Sequence, residues 1–501
     1  MREKFKRELT ALKKIFSLLL VLALLLGAVS AVADGTPIDP KENRNITVHP
    51  AGDNEVEDGV SPTTGRRLSD INVPSGFLGM AVDGEYRPIL IQVDNSDGGT
   101  GDRAPWNASY ADIIYETPLR SDGETRLTMV YSDVQPDYVG PIRSLRMHSI
   151  RLREEWDCPY VFAGMQRLHD TNVDQEITNL GVDRLKYLYD GNANKAWNAF
   201  IYRCANFASP HNSIVYLAGS GGTKNGAGGI MQNIYPEDVH PKLRPFKFSD
   251  EPMEGGDEAE IIYITHGKGF YDSRLEYDED EDVYYRYMVG KNEDILYDEL
   301  SPTFIKRIQR DGRPLDQYDV DGSAVFTATS DGATTTYQLP SLGENPPVKV
   351  DRVNVNGRDL YEGMYWKYNA ATGVVELTEV PAEGAPIEIE YSTGHGNPIT
   401  FSNVIIQFTN VHFWAVQKPD PIVTTEDSKY QYNADYFIGG MHYRGVWRRD
   451  TLKDRTTFYG EDGEEITLKP GKTLIVMMEL DYNTGDYLVH QNGTKGGVSY
   501  E

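Results

Sequence analysis

The chain has 501 residues and carries 76 acidic against 49 basic side chains, a formal net charge of −27. A field of that sign repels nucleic acid and anionic headgroups, so nucleic-acid binding is excluded as a function class. With only Cys158 and Cys204 available, the fold must rest on apolar cores, and the two thiols read equally well as a bridge or as buried free groups.

The first fourteen residues hold six Lys/Arg against two acids, Ile15 to Val29 is almost wholly apolar, and Ser30-Ala31-Val32-Ala33-Asp34 follows. A basic start, a short apolar core and an A-x-A site spell a secretory signal peptide over residues 1–33, cut after Ala33. The apolar run is shorter than the roughly 20 residues a membrane span needs, and no other segment reaches that length. The expected location is therefore extracellular or in the cell envelope, with no transmembrane helix after cleavage. No cysteine stands near the cleavage site to carry a lipid.

Residues 34–75 are rich in Asp, Glu, Pro, Gly and Thr, which predicts a flexible linker, because so little apolar surface cannot offset chain entropy. From Arg87 the texture changes to an Ile/Val-rich run ending at Asp94-Asn95, read as a buried strand and a turn. Residues 111–116 and 126–131 read as two more strands. Ser144 to Trp156 has helical spacing, with Leu145, His148 and Leu152 about one turn apart. Strands mixed with a helix predict an α/β domain over residues 76–217. A Gly-rich linker occupies 218–257, and strand signals dominate beyond it. Arg274–Tyr277 and Val283–Tyr287 read as a hairpin around an acidic tip at Asp278–Asp282. Counted as a calcium loop from Asp278, the places that need Gly and Glu hold Val283 and Val289, so the tip reads as a solvated turn.

Residues 320–393 carry short alternating strands separated by turn residues, the pattern of a small β-sandwich. The stretch opens G-x-T-x-x-Y-x-L-P from Gly332 and closes P-x-x-G-x-x-I-x-I-x-Y from Pro381. It resembles the compact β modules of phage and bacterial surface proteins. A β-rich tail follows through Asn403–Phe408, Gly445–Trp447 and Leu474–Met477. The expected fold class is α+β: an N-terminal α/β domain, then a β-rich C-terminal domain over 258–300 plus 398–485, interrupted by the sandwich module, with a tail at 486–501.

Several blocks in order resemble the YerB-like putative lipoprotein family of bacterial envelope proteins of unknown function. They are RPILIQVDN from Arg87, ADIIYE from Ala111, GETRLTMVYSD from Gly123, VGPIRSLR from Val139 and Ser209-Pro210-His211-Asn212. The second half adds NVIIQF from Asn403, Arg444-Gly445-Val446-Trp447 and TTFYGEDGEEITLKPGKT from Thr456. The resemblance implies two family domains, with the β module set between Tyr297-Asp298 and Asn397-Pro398, and an envelope location. It departs from the family in lacking the lipid-bearing cysteine and in reducing the usual Gly pair to Gly123-Glu124.

The N-terminal domain holds the residues best suited to chemistry. Arg143 and Arg146, three apart at a loop-to-helix transition, would lie on one helix face near an N-terminus that favours anions. With Arg126 on the preceding strand, and Ser144 and Asn212 nearby, they form a candidate cradle for a phosphate or carboxylate. Asp94 and Glu116 end strands, where a sheet presents ligand-binding residues, and His211 lies in a polar loop, so these three are the candidates for acid–base work. The alternative is that the carboxylates and arginines satisfy one another as buried pairs. The ten histidines form no zinc motif, there is no P-loop, no G-x-G-x-x-G and no nucleophile elbow, and any cofactor is left open. A non-catalytic binding or scaffold protein for wall polymer or an envelope partner is the first expectation. An enzyme acting on a phosphate-bearing envelope substrate through the arginine clamp is the second.

Overall fold

The computed structural model describes residues 35–501 apart from 53, 75, 96–104, 106, 121, 169–170, 193–199, 204–210, 212, 219–227, 240, 242, 244–245, 252, 268–270, 289–294, 297–317, 343–346, 362–363, 370–372, 397–398, 415–417, 426–431 and 491–492. Cys204, Asn212 and the two ends of the module insertion lie outside the described residues. Cys158 is a buried free thiol.

One mixed sheet forms the centre. Its strands are β1 (Ile89–Asp94), β2 (Ile113–Pro118), β3 (Thr125–Tyr131), β4 (Tyr160–Phe162), β5 (Leu188–Asp190), β6 (Asn403–Trp414), β7 (Asn433–Ile438), β8 (Met441–Arg448) and β9 (Thr473–Asp481), with short additions at its margins. Across the sheet the order is β8-β7-β6-β9-β2-β3-β1-β4-β5. Both halves of the chain thus build one sheet, joined where β9 pairs in parallel with β2, Ile113 opposite Thr473 and Glu116 opposite Val476. β3 is antiparallel to both β1 and β2. It follows that β1, β2, β4, β5, β6 and β9 all run one way and end along one edge.

These strands read as continuous apolar runs because both faces of the sheet are covered. Ile89, Ile91 and Val93 of β1, with Leu474, Val476 and Met478 of β9, enter one core. That core is closed by a second, smaller antiparallel sheet, which contributes Ile262, Ile264, Leu275, Tyr284 and Val498. Leu90, Tyr115, Ile475 and Met477 point the other way and meet Ile150, Leu152 and Trp156 of helix α1 (Met147–Trp156). The Trp156 indole, buried there, donates to the Tyr115 hydroxyl at 3.2 Å.

The expected α+β class, with an α/β N-terminal domain, is overturned: the molecule is mostly β. The α-helices among the described residues run from 4 to 10 residues. β2 and β3 are joined by a tight hairpin and so pair antiparallel, where an α/β unit would need a crossover helix. Between β1 and β2 the described chain forms only a 3-10 turn at Ala108–Tyr110. Helix α1 also begins later than its spacing predicts. Residues 142–145 are committed to strand-like bonds, Arg143 N–H to Gln92 O at 2.8 Å and Leu145 N–H to Gly164 O at 3.0 Å, so helical geometry starts only at Met147.

The segment whose composition predicted a flexible linker is built into the body. Thr36–Pro37 pairs with Gly497–Tyr500 in the smaller sheet. Arg44 donates to the carbonyls of Ala434 (2.8 Å) and Gly445 (3.1 Å) and pairs with Asp435 at 3.0 Å. Its polar residues find partners inside the fold, which composition cannot show. Residues 318–396 form two small sheets, of four and three strands, around a separate core that includes Val353, Trp366, Val375, Ile389 and Tyr391. The hairpin around the acidic tip forms with Asp278 opposite Val283.

Candidate functional site

The common edge on which β1, β2 and β9 end is where an open sheet presents ligand-binding groups. β1 closes on Asp94, whose carboxylate is fully buried. Arg143 Nε lies 3.2 Å from its Oδ2, Arg126 Nη2 lies 3.9 Å from its Oδ1, and His211 Nδ1 meets Oδ2 at 2.5 Å. Register sets this meeting, because Asp94 on β1 stands directly opposite Arg126 on β3.

A second junction holds the guanidinium groups together. Arg126 Nη1 and Arg146 Nη1 both donate to the Ser144 carbonyl, at 3.1 and 3.2 Å, and Arg146 also reaches Leu145 O at 3.2 Å. The Ser144 hydroxyl itself turns away and donates to Ala163 O. Three guanidiniums thus gather beside Asp94, and the Glu124 carboxylate also acts on Arg126 and Arg146. Burial, then the charges of Arg126 and Arg143, hold Arg146 well below the usual arginine range. Burial brings Arg126 down to about 10, with Asp94 opposing and Arg143 adding to the shift. The Nε atoms of Arg126 and Arg146 are buried without a hydrogen-bond partner among the described residues.

Arg143 and Arg146 do not share a helix face as their spacing predicted. Arg146 is the N-cap of α1, in extended geometry, and Arg143 lies in the strand-like run before it. They converge through Asp94 and the Ser144 carbonyl instead. Because no side chain caps α1, its first free N–H groups add positive potential beside the guanidiniums. Arg126 is 1% exposed, while Arg143 is 17% and His211 23% exposed, so the cluster has a buried floor and an open rim.

Glu116 is brought elsewhere. Arg126 faces Thr117 across β2, so the neighbouring Glu116 points to the opposite side of the sheet. There it accepts from Asn95 (3.2 Å), Thr125 (2.7 Å) and Arg286 (2.7 Å), with His266 Nε2 at 3.6 Å. Burial lowers His266 to about 4, with Glu116 opposing. Sequence reasoning missed Arg286 and His266, because the smaller sheet delivers them from far along the chain and no local signal marks them. It noted His148 only as a helical position. In the fold its Nε2 meets Thr117 Oγ1 at 3.1 Å, and burial and the flanking arginines push it down to about 3, so it is neutral. Among the described residues no group of three or more His, Cys, Asp and Glu is arranged to hold a metal ion, and no helix is long and apolar enough to cross a membrane.

Two family models match the chain. The N-terminal domain of DUF3048, a protein of unknown function, matches residues 77–225, and the C-terminal domain of the same family matches 353–475. Among solved structures, the crystal structure of the YerB protein from Bacillus subtilis is similar over 83% of this chain and 96% of its own, with 16% identity and a TM-score of 0.46. No curated protein matches.

Proposed function

The chain belongs to the DUF3048 family, as the resemblance to YerB-like proteins implied, and we propose that it is an exported envelope protein that binds an anionic ligand at Arg126, Arg143 and Arg146. The observation that carries this reading is the charge imbalance: three guanidiniums meet within one cluster against two carboxylates, Asp94 paired with Arg126 and Arg143 and Glu124 acting on Arg126 and Arg146. Like charges are gathered at that density where an anion repays the cost, and planar guanidinium forks suit phosphate and carboxylate oxygens. In a chain of net charge −27, such a site is a local exception to a repulsive field. The basic, apolar and small-residue pattern of residues 1–33 supports export, and a phosphate- or carboxylate-bearing wall polymer then has the right chemistry.

A second reading, an enzyme acting on a phosphate-bearing envelope substrate, is favoured by one contact. His211 Nδ1 lies against Asp94 Oδ2 at the exposed rim, the pairing that orients an imidazole for proton transfer.

The test is a thermal-shift titration of residues 34–501 with inorganic phosphate, an anionic glycopolymer and a neutral glycan. An anionic ligand at about a hundred times its dissociation constant stabilises by roughly 2.7 kcal/mol. Arg143→Ala and Arg146→Ala are expected to fold and to lose that shift. Absence of any anion-dependent shift in the parent protein rejects the binding reading. Turnover of a phosphate ester that His211→Ala abolishes would replace binding by catalysis.

A further inference from the structure

β9, at the centre of the sheet, ends near a carboxyl group with nothing to hold it. Glu479 is 1% exposed, and neither of its oxygens has a hydrogen-bond partner among the described residues. Its neighbour on β6 in direct register is Thr409. On the other side lies the β2–β3 hairpin, whose Asp122 faces it electrostatically, is 29% exposed and pairs with Arg120 Nε at 3.6 Å. Burial first, and then the Asp122 charge, push Glu479 up to about 8. An orphaned carboxyl inside a fold is costly, and the apolar side chains that precede it on β9, such as Met477, show what packing alone would put there.

Alternation places this group relative to the arginines. Ile475 and Met477 of β9 point to the α1 side of the sheet, and Glu479, two further along, follows them. Asp94, Arg126 and Thr117 stand in one register row across β1, β3 and β2. Arg126 shares a carbonyl with Arg146, the residue that opens α1, so that row also faces the helix side. Glu479 therefore lies on the same face as the arginine cluster and along the same edge. It is two strand spacings from Arg126, roughly 10 Å sideways, and two residues further along the strands, so the two stand roughly 12 Å apart.

We propose that Glu479, with Asp122 beside it, is a second subsite that takes a ligand ammonium, so that the ligand is zwitterionic, with an amine roughly 12 Å from the anionic group held by the arginines. The inference rests on the anion reading of Arg126, Arg143 and Arg146. An ammonium beside Glu479 supplies the donors that its two oxygens lack among the described residues, and its charge offsets that of Asp122. Binding then ionises Glu479, whose proton leaves to the solvent while the ligand amine keeps its own.

Isothermal titration calorimetry on the exported chain, residues 34–501, tests this with 6-aminohexyl phosphate and hexyl phosphate, probes alike except for the terminal amine, and with inorganic phosphate. The amine-bearing probe is expected to bind about ten-fold or more tightly than hexyl phosphate. Its heat should also depend on the ionisation enthalpy of the buffer, the mark of a released proton. In Glu479→Gln the ratio between the two probes should collapse to about one and the proton release should vanish, with Glu479→Leu as a second variant that removes the polar group altogether. Equal affinities in the parent protein, or a preference that survives in both variants, overturns the ammonium subsite and leaves the anion reading standing. If inorganic phosphate and both organic phosphates fail to bind, both readings fall.

Discussion

Asp112 and Asp133 are buried acids that share the donors of one short loop. Asp112 Oδ2 accepts from Ser132 Oγ at 2.8 Å and from Asp133 N–H at 3.1 Å, and Asp133 Oδ1 accepts from Ser61 Oγ at 2.6 Å. Burial raises both, and for Asp112 the Asp133 charge adds to it, while the surrounding hydrogen bonds and Arg66 pull back; Tyr86 also faces Asp112. Two carboxyls in one dry site do not both ionise readily, so the pair retains a proton. Because the folded values lie above the unfolded ones, this contribution to stability is complete below the unfolded carboxylate range, about pH 4. It is lost as pH rises through the raised folded values. A tenfold difference in proton affinity corresponds to about 1.4 kcal/mol, so the effect is measurable by melting temperature. Between pH 5 and 8 the parent protein should lose stability with a slope that Asp112→Asn flattens; equal slopes would show that the pair titrates normally. Ser61 and Thr64, both bonded to Asp133, make the ordering of the N-terminal segment part of the same equilibrium.

At the level of elements, the Glu116–Arg286 pair ties the central sheet to the smaller one. Both side chains are fully buried, and Ser273 accepts a further bond from Arg286 at 3.0 Å. Removing one member leaves the other charged and dry, which costs about 3–5 kcal/mol, whereas replacing both can be nearly neutral. Arg286→Met should therefore destabilise by about that amount in denaturant unfolding, and Glu116→Gln with Arg286→Met should recover most of it. A double variant as weak as the single one would mean that Arg286 acts through packing alone. The same elements show what could be read beforehand. β1, β2, β3 and the hairpin around Asp278–Asp282 were legible, because apolar runs bounded by turn residues are local signals. Arg126, Arg143, Arg146, Asp94 and His211 could be named as candidates, but the contacts that join them rest on register and not on the helix face that the spacing suggested. The start of α1 was not legible, since the backbone of residues 142–145 is claimed by Gln92 and Gly164 across the sheet. Nor was the separation of Asp94 from Glu116 onto opposite faces, which follows from a register that no single strand contains. Glu479 and Arg286 were invisible because Arg286 meets a partner 170 positions away and Glu479 is marked by lacking a hydrogen-bond partner among the described residues.

The whole molecule divides differently from its chain. β9, from the far C-terminal part, pairs with β2 on one side and β6 on the other, so residues 76–217 alone would end in an unpaired, apolar central strand and lack its cover. An exposed edge of that kind associates rather than folds. Residues 318–396 are the opposite case. They have their own core, and their first and last strands are partners, Tyr318 opposite Gly396, which sets the two ends of the segment about 5 Å apart. A short Gly-containing turn can bridge that gap with little loop-closure cost. Replacing 318–396 by such a turn should leave a protein that is soluble, melts within a few degrees of the parent and keeps the phosphate-dependent shift of the arginine site, whereas residues 76–217 expressed alone should aggregate. The deciding measurement is the pair of melting curves with and without phosphate. A shortened protein that folds but no longer responds to phosphate would place the β module in ligand binding, and a soluble, cooperatively melting 76–217 fragment would show that the central sheet does not need its C-terminal strands.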